Sequence, residues 1–202
     1  MALWLAPSAL VLASQSRSRR ALMEAAGLPI EVCPADLDER GIEAAAASAD
    51  PAAIAVLLAR LKAQHVSASR PGRLVVGADQ TMALGVSRLA KPADLIEARA
   101  QLAALSGRTH ELHSAVVVVA DGSLLFEHAE AARLTMRQVS PGFLDDYLAA
   151  NGRLVTTSVG GYQVEGLGIQ LFERIEGDHF TILGLPLLPL LKFLRHHGSL
   201  AS

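Results

Sequence analysis

The chain has a single cysteine, Cys33, among its 202 residues, so it can form no internal disulfide, no CxxC redox pair and no cysteine-rich zinc site. That shortage points to a reducing, cytoplasmic setting. Aromatic residues are scarce as well, at 4%, which leaves little surface on which single-stranded bases could stack. Neither sign of charge dominates: 18 Lys and Arg face 20 Asp and Glu for a net charge of −2, excluding a surface that coats nucleic acid or anionic membrane in general. Long apolar runs are missing. The first sixteen residues are uncharged, but Pro7 interrupts them and Arg17, Arg19 and Arg20 follow the run where a secretory leader would place basic residues before it. The stretch 179–191 carries Pro186 and Pro189 and falls short of the ~18 residues needed to span a bilayer. Neither a leader nor a membrane span is expected. GxxxxGK, HExxH, GxSxG and GxGxxG are also absent.

What is present reads as a globular chain. Hydrophobic residues make up 51% and charged residues 19%, with 16 Gly and 9 Pro spread through the length, and the length suits one large domain or two small lobes. Apolar runs at 9–13, 30–33, 74–78, 116–119 and 134–139 predict strands, the third ending at Asp79-Gln80-Thr81. Helical spacing runs from Arg17 to Ala26 with Gly27 closing it, from Asp50-Pro51 through Ile54, Leu57, Leu58 and Leu61, from Asp94 to Leu105, and from Ser140-Pro141 to Asn151. Asp121-Gly122 predicts a hairpin turn. The apolar segments 169–175 and 180–183 and a final helix from about Pro186 to His196 complete the chain. This order describes an α/β fold.

The sharpest local feature is the run 14–20, Ser-Gln-Ser-Arg-Ser-Arg-Arg, at a strand-to-helix junction. Helix N-terminal amides, hydroxyls and guanidiniums together suit phosphate; a capped helix beside a solvated basic turn uses the same residues. Asp79 after a buried strand can be a turn residue, a general base or a metal carboxylate. Asp36, Asp38 and Glu39 offer hard oxygen donors on a charged loop. Lys62 lies near the edge of a helix face and Lys91 precedes a proline. His110 and His113 are the best histidine pair for a metal, but three positions apart on a strand they face opposite sides.

Taken in order, LVLASQSRSRRALMEAAG, DLDER, RLKAQ, VVGADQT, AKP, LSGRTHELHSAV, GGYQVEGLGIQLFERIEG and ILGLPLLPLL, from Leu10 to Leu194, resemble the Maf family of nucleotide pyrophosphatases. The resemblance implies an elongated α/β fold with a mixed twisted sheet, two lobes around a central cleft and a homodimer. It implies hydrolysis of a nucleoside triphosphate to the monophosphate and pyrophosphate with a divalent cation, Mg²⁺ or Mn²⁺. By that resemblance Asp79 is the proton acceptor, Ser14, Arg19, Arg20, Lys62 and Lys91 bind substrate, and Glu39 with Asp79 holds the metal. Gln80 and Glu165 match the branch acting on 7-methyl-GTP, as against the branch acting on dTTP and UTP, and Ser18 occupies a further specificity position where that branch carries tryptophan. Arg17 stands where the family has proline, and Thr157-Ser158-Val159-Gly160 lacks the lysine of the family's KAG motif. The family name also implies a second role, a nucleotide-binding regulator of cell division without catalysis.

Overall fold

A computed structural model describes residues 3–46 and 50–202. Its sheet has seven strands, β1 (Leu10–Leu12), β2 (Ile30–Val32), β3 (Val75–Leu84), β4 (Ser87–Leu89), β5 (Thr109–Ala120), β6 (Ser123–Met136) and β7 (Phe172–Glu176), in the order β2-β1-β3-β5-β6-β7 with β4 against β3. The sheet is mixed: β1 runs parallel to both β2 and β3, whereas β4 is antiparallel to β3 and β7 to β6. The helices are α1 (Arg17–Ala25), α2 (Glu39–Ala45), α3 (Pro51–Ser67), α4 (Leu95–Leu105), α5 (Pro141–Asn151), α6 (His179–Ile182) and α7 (Leu187–His196). Among the described residues no helix is long and apolar enough to cross a membrane.

Contacts divide the chain into two compact units, the first made of 1–80, 113–130 and 178–202 and the second of 81–112 and 131–177. In the first unit β1, β3 and β5 are buried on both faces, so their sequences there are continuous apolar runs whose alternate side chains enter different cores. Leu10, Leu12, Val76, Ala78, Val116 and Val118 pack with Met23 of α1 and with Leu187, Leu190 and Leu194 of α7. Val11, Val75, Ala115, Val117 and Val119 pack instead with Ala55, Ala59 and Ala63 of α3. Local signals fix the helix starts: Ser16 caps α1 by accepting from the Arg19 amide, and Asp50 caps α3 ahead of Pro51. The β5–β6 connection turns at Asp121 and Gly122, both at positive φ (47° and 75°), as a two-residue hairpin requires.

Three expectations are corrected. The strand begun at Val75 does not stop before Asp79 but runs to Leu84, because Asp79 is neutralised within the sheet by a lysine and 81–84 return to residues that pack and pair with β4. Glu39 is not on a loop: Asp38 caps α2 by accepting from the Gly41 amide, and Glu39 opens its first turn, where the helix dipole favours an acid. Residues 137–139, the end of the strand expected over 134–139, lie outside β6.

In the second unit α4 and α5 bury Leu102, Leu105, Leu144 and Tyr147. Beside them is a ring cluster. His110 Nε2 and the Tyr162 hydroxyl are hydrogen-bonded at 2.6 Å, and Phe172 packs on both rings with centroids 5.9 and 4.8 Å away. Burial pushes the His110 imidazole down to about 4. An unfolded chain would protonate this ring near 6.5, so between roughly pH 6.5 and 4 it binds a proton that the folded state does not. Stability from this ring is therefore complete above pH 6.5 and falls by about 3 kcal/mol as pH drops to 4. His110→Gln, compared with the parent by urea midpoints at pH 7.5, 5.5 and 4.5, is expected to flatten that part of the pH dependence.

Candidate active site

The site grows from one close approach. Gly77 lies in β3 against α3, and a Cβ there would collide with the Ala59 carbonyl oxygen and sit 2.9 Å from the Ala63 Cβ. Glycine therefore lets the strand backbone rest directly on the helix backbone. Two residues further along the strand, on the same face, is Asp79; three residues along the helix from Ala59 is Lys62. Lys62 Nζ donates to Asp79 Oδ1 at 2.6 Å and pairs with Glu39 Oε1 at 2.9 Å. Asp79 and Lys62 are buried while Glu39 stays partly open, its side chain 43% exposed. The lysine thus points inward from its helix and bridges two carboxylates. Neither Asp79 Oδ2 nor Glu39 Oε2 receives a hydrogen bond among the described residues.

Arg19, one of the three arginines in the β1–α1 junction, points inward as well. Its Nε donates to the Gly184 carbonyl at 2.8 Å, and Nη1 donates to Ser14 Oγ at 3.0 Å and to the Ala78 carbonyl at 2.9 Å. Three of the five guanidinium N–H groups are thereby fixed by protein acceptors, and Nη2 has no protein acceptor among the described residues. Burial lowers the pKa of Arg19 below its ordinary value, and the negative charges of Asp79 and Glu39 oppose that shift. A guanidinium remains charged regardless. The cation is therefore held rigidly within the field of the two carboxylates.

Of the residues the sequence singles out, Ser14, Arg19, Glu39, Lys62, Asp79 and Gln80 come together in the first unit. Arg20 does not join them: it lies on the exposed side of α1 in an ion pair with Glu24, one turn away at 2.8 Å. Ser18 is half-buried on the first turn of α1. Lys91 and Glu165 belong to the second unit, where both are exposed and outside helix and strand. Sequence reasoning missed Gly77, Ser114, Thr181 and Gly184. A glycine inside the apolar run 74–78 was the one available signal.

Among the described residues no three His, Cys, Asp or Glu side chains cluster to hold a metal ion. The donors nevertheless suit Mg²⁺ or Mn²⁺. Glu39 and Asp79 each keep one oxygen free of protein donors, and small hard cations are commonly held by one or two carboxylates together with substrate phosphates.

The site is thus a buried lysine bridging two carboxylates beside an arginine whose orientation is set by three protein acceptors, in an α/β fold. The chain belongs to the Maf family, whose model, described as Maf-like protein, matches residues 9–197. It is 57% identical over 201 residues, 100% of both chains, to a protein of Rhodopseudomonas palustris (strain HaA2) named nucleoside triphosphate pyrophosphatase. It is 55% identical over 193 residues, 95% of this chain and 97% of the relative, to a protein of Rhizobium johnstonii named 7-methyl-GTP pyrophosphatase. A solved HAM1 protein of Coxiella burnetii overlaps 63% of this chain and 72% of its own, at 22% identity and a TM-score of 0.42.

Gly77→Ala is expected to lower stability by about 1–3 kcal/mol through overpacking, read as a fall in Tm of roughly 3–10 °C. It should also reduce activity, because α3 and β3 can separate only by stretching the Lys62–Asp79 pair.

Proposed function

We propose that the chain hydrolyses a nucleoside triphosphate to the nucleoside monophosphate and pyrophosphate, with Asp79 as the proton acceptor. The observation that carries this reading is the buried Asp79–Lys62 pair, joined by Glu39 and lying beside Arg19, in a chain matching the family over 9–197. A module that only bound nucleotide would need the cations; it would not need a carboxylate held among them.

Each residue has a task set by its charge. Water attacks the α-phosphorus, its proton passes to Asp79 Oδ2, and pyrophosphate leaves. Lys62 keeps the Asp79 carboxylate in one orientation and, being buried with it, makes loss of either partner costly to the fold. Arg19 presents Nη2 to a phosphate oxygen with its orientation already set, so little side-chain freedom is lost on binding. Ser14 adds a hydroxyl beside it. Glu39 and Asp79 would hold a divalent cation, which when bound neutralises triphosphate charge and favours ionisation of water.

For the base we propose guanine methylated at N7. Support comes from Glu165 within GGYQVEG and from the relative named for that nucleotide. A carboxylate accepts from N1–H and the exocyclic amine of guanine and complements the charge that methylation places on the ring, whereas uracil and thymine offer no such paired donors.

Mg²⁺-dependent pyrophosphate release is expected to be fastest with 7-methyl-GTP in a panel that includes GTP, dTTP, UTP and CTP. Preference for dTTP or UTP would overturn the base assignment and leave the chemistry intact; release from none would favour the regulator. Asp79→Asn should lower kcat by about 10²–10⁴ while nucleotide binding by calorimetry persists, and turnover at the parental rate would remove Asp79 as the base. EDTA is expected to stop release and added Mg²⁺ to restore it.

A further inference from the structure

We propose that Gln80 is a positioning residue for the phosphate-binding arginine: through the 181–184 turn it fixes the carbonyl that holds Arg19. This rests on the reading of Arg19 as a phosphate ligand. It gives Gln80 a role different from the base selection that its sequence position suggests.

The argument begins with which end of the amide points where. Three acceptors surround Gln80 Nε2: Ser114 Oγ at 3.0 Å, the Thr181 carbonyl at 3.2 Å and the Ile182 carbonyl at 3.1 Å. Two are carbonyl oxygens that can only accept, so the nitrogen must face them and Oε1 must face away. Ser114 donates its own hydroxyl to the Thr181 carbonyl at 2.7 Å, which leaves its oxygen to accept from Gln80. The Thr181 carbonyl also takes the Gly184 amide, so one oxygen gathers the end of α6, the start of the following turn and two side chains of the sheet. Thr181 is itself anchored, its hydroxyl donating to Glu130 at 2.8 Å.

This turn ends at Gly184, whose carbonyl accepts from Arg19 Nε at 2.8 Å. Gly184 has a φ of +92°, and a Cβ there would lie 3.4 Å from Arg19 Nε, 3.5 Å from Nη2 and 3.7 Å from Gln80 Oε1. The guanidinium and the outer end of the Gln80 amide therefore both flank the same small residue. Asp79 and Gln80 are adjacent in β3 and point to opposite faces. One carries the site's carboxylate and the other secures its arginine, so a single strand sets both.

The test uses a ligand that has no base. Inorganic tripolyphosphate should bind about tenfold more weakly to Gln80→Met than to the parent, and more weakly, by a smaller factor, to Ser114→Ala, which removes one member of the same network. KM for every nucleoside triphosphate should rise by a common factor, with the ratios of kcat/KM between bases unchanged. In an Arg19→Ala background, Gln80→Met should cause no further loss of tripolyphosphate binding. Altered base preference with unchanged tripolyphosphate binding would overturn the proposal and return Gln80 to the base; so would a full additional loss in the Arg19→Ala background. If the parent released pyrophosphate from no nucleotide, the proposed activity would fail while the tripolyphosphate comparison still decided the role of Gln80.

Discussion

An ammonium group buried between two carboxylates is the constraint on which the first unit depends. Burying Lys62 or Asp79 alone would cost several kcal/mol, and the pair is tolerable only because each meets the other at hydrogen-bonding distance. The requirement reaches backward into the fold. α3 must lie on β3 at backbone contact, which Gly77 permits, and α2 must begin at Glu39 so that the second carboxylate arrives beside the lysine. It reaches forward into the chemistry as well, because a carboxylate held by one oxygen keeps the other for a proton or a cation.

Arg19 follows the same logic with the sign reversed. A guanidinium in water samples many orientations and must lose that freedom when an anion arrives. Here Ser14, Ala78 and Gly184 set its plane beforehand, so any anion would meet a cation whose direction is a property of the fold. The anchoring atoms are two carbonyls and a hydroxyl, none charged, so the positive charge is oriented without being cancelled.

Much of the fold was legible where the signal was local. Ser16 before α1, Asp50-Pro51 before α3, Ser140-Pro141 before α5 and Asp121-Gly122 between β5 and β6 each act within a few residues, and each is found where the sequence puts it. What escaped notice depended on partners distant in the chain. In the sequence Asp79 reads as the end of a strand because an isolated carboxylate does not belong in a sheet; Lys62, seventeen residues earlier, removes that objection. Lys62 in turn reads as the edge of a helix face because its charge favours solvent. Arg19 and Arg20 are indistinguishable by type and adjacent in sequence, yet the rotation of about 100° between neighbouring helix positions sends the first inward and the second to Glu24. Thr181 and Gly184 gave no sign of their part in the site, since each contributes a backbone carbonyl, which any residue possesses, and Ser114 contributes one hydroxyl from within an apolar strand.

The contact at Gly77 carries a further consequence for how this chain can vary. Residues 59, 63 and 77 share one small volume, although the first two lie on a helix and the third on a strand. A side chain at 77 would meet the Ala59 carbonyl and the Ala63 amide nitrogen, backbone atoms that no substitution at 59 or 63 removes. Chains that keep the Lys62–Asp79 geometry are thus confined to glycine at 77, and the freedom to diversify falls to surfaces such as the outer side of α1.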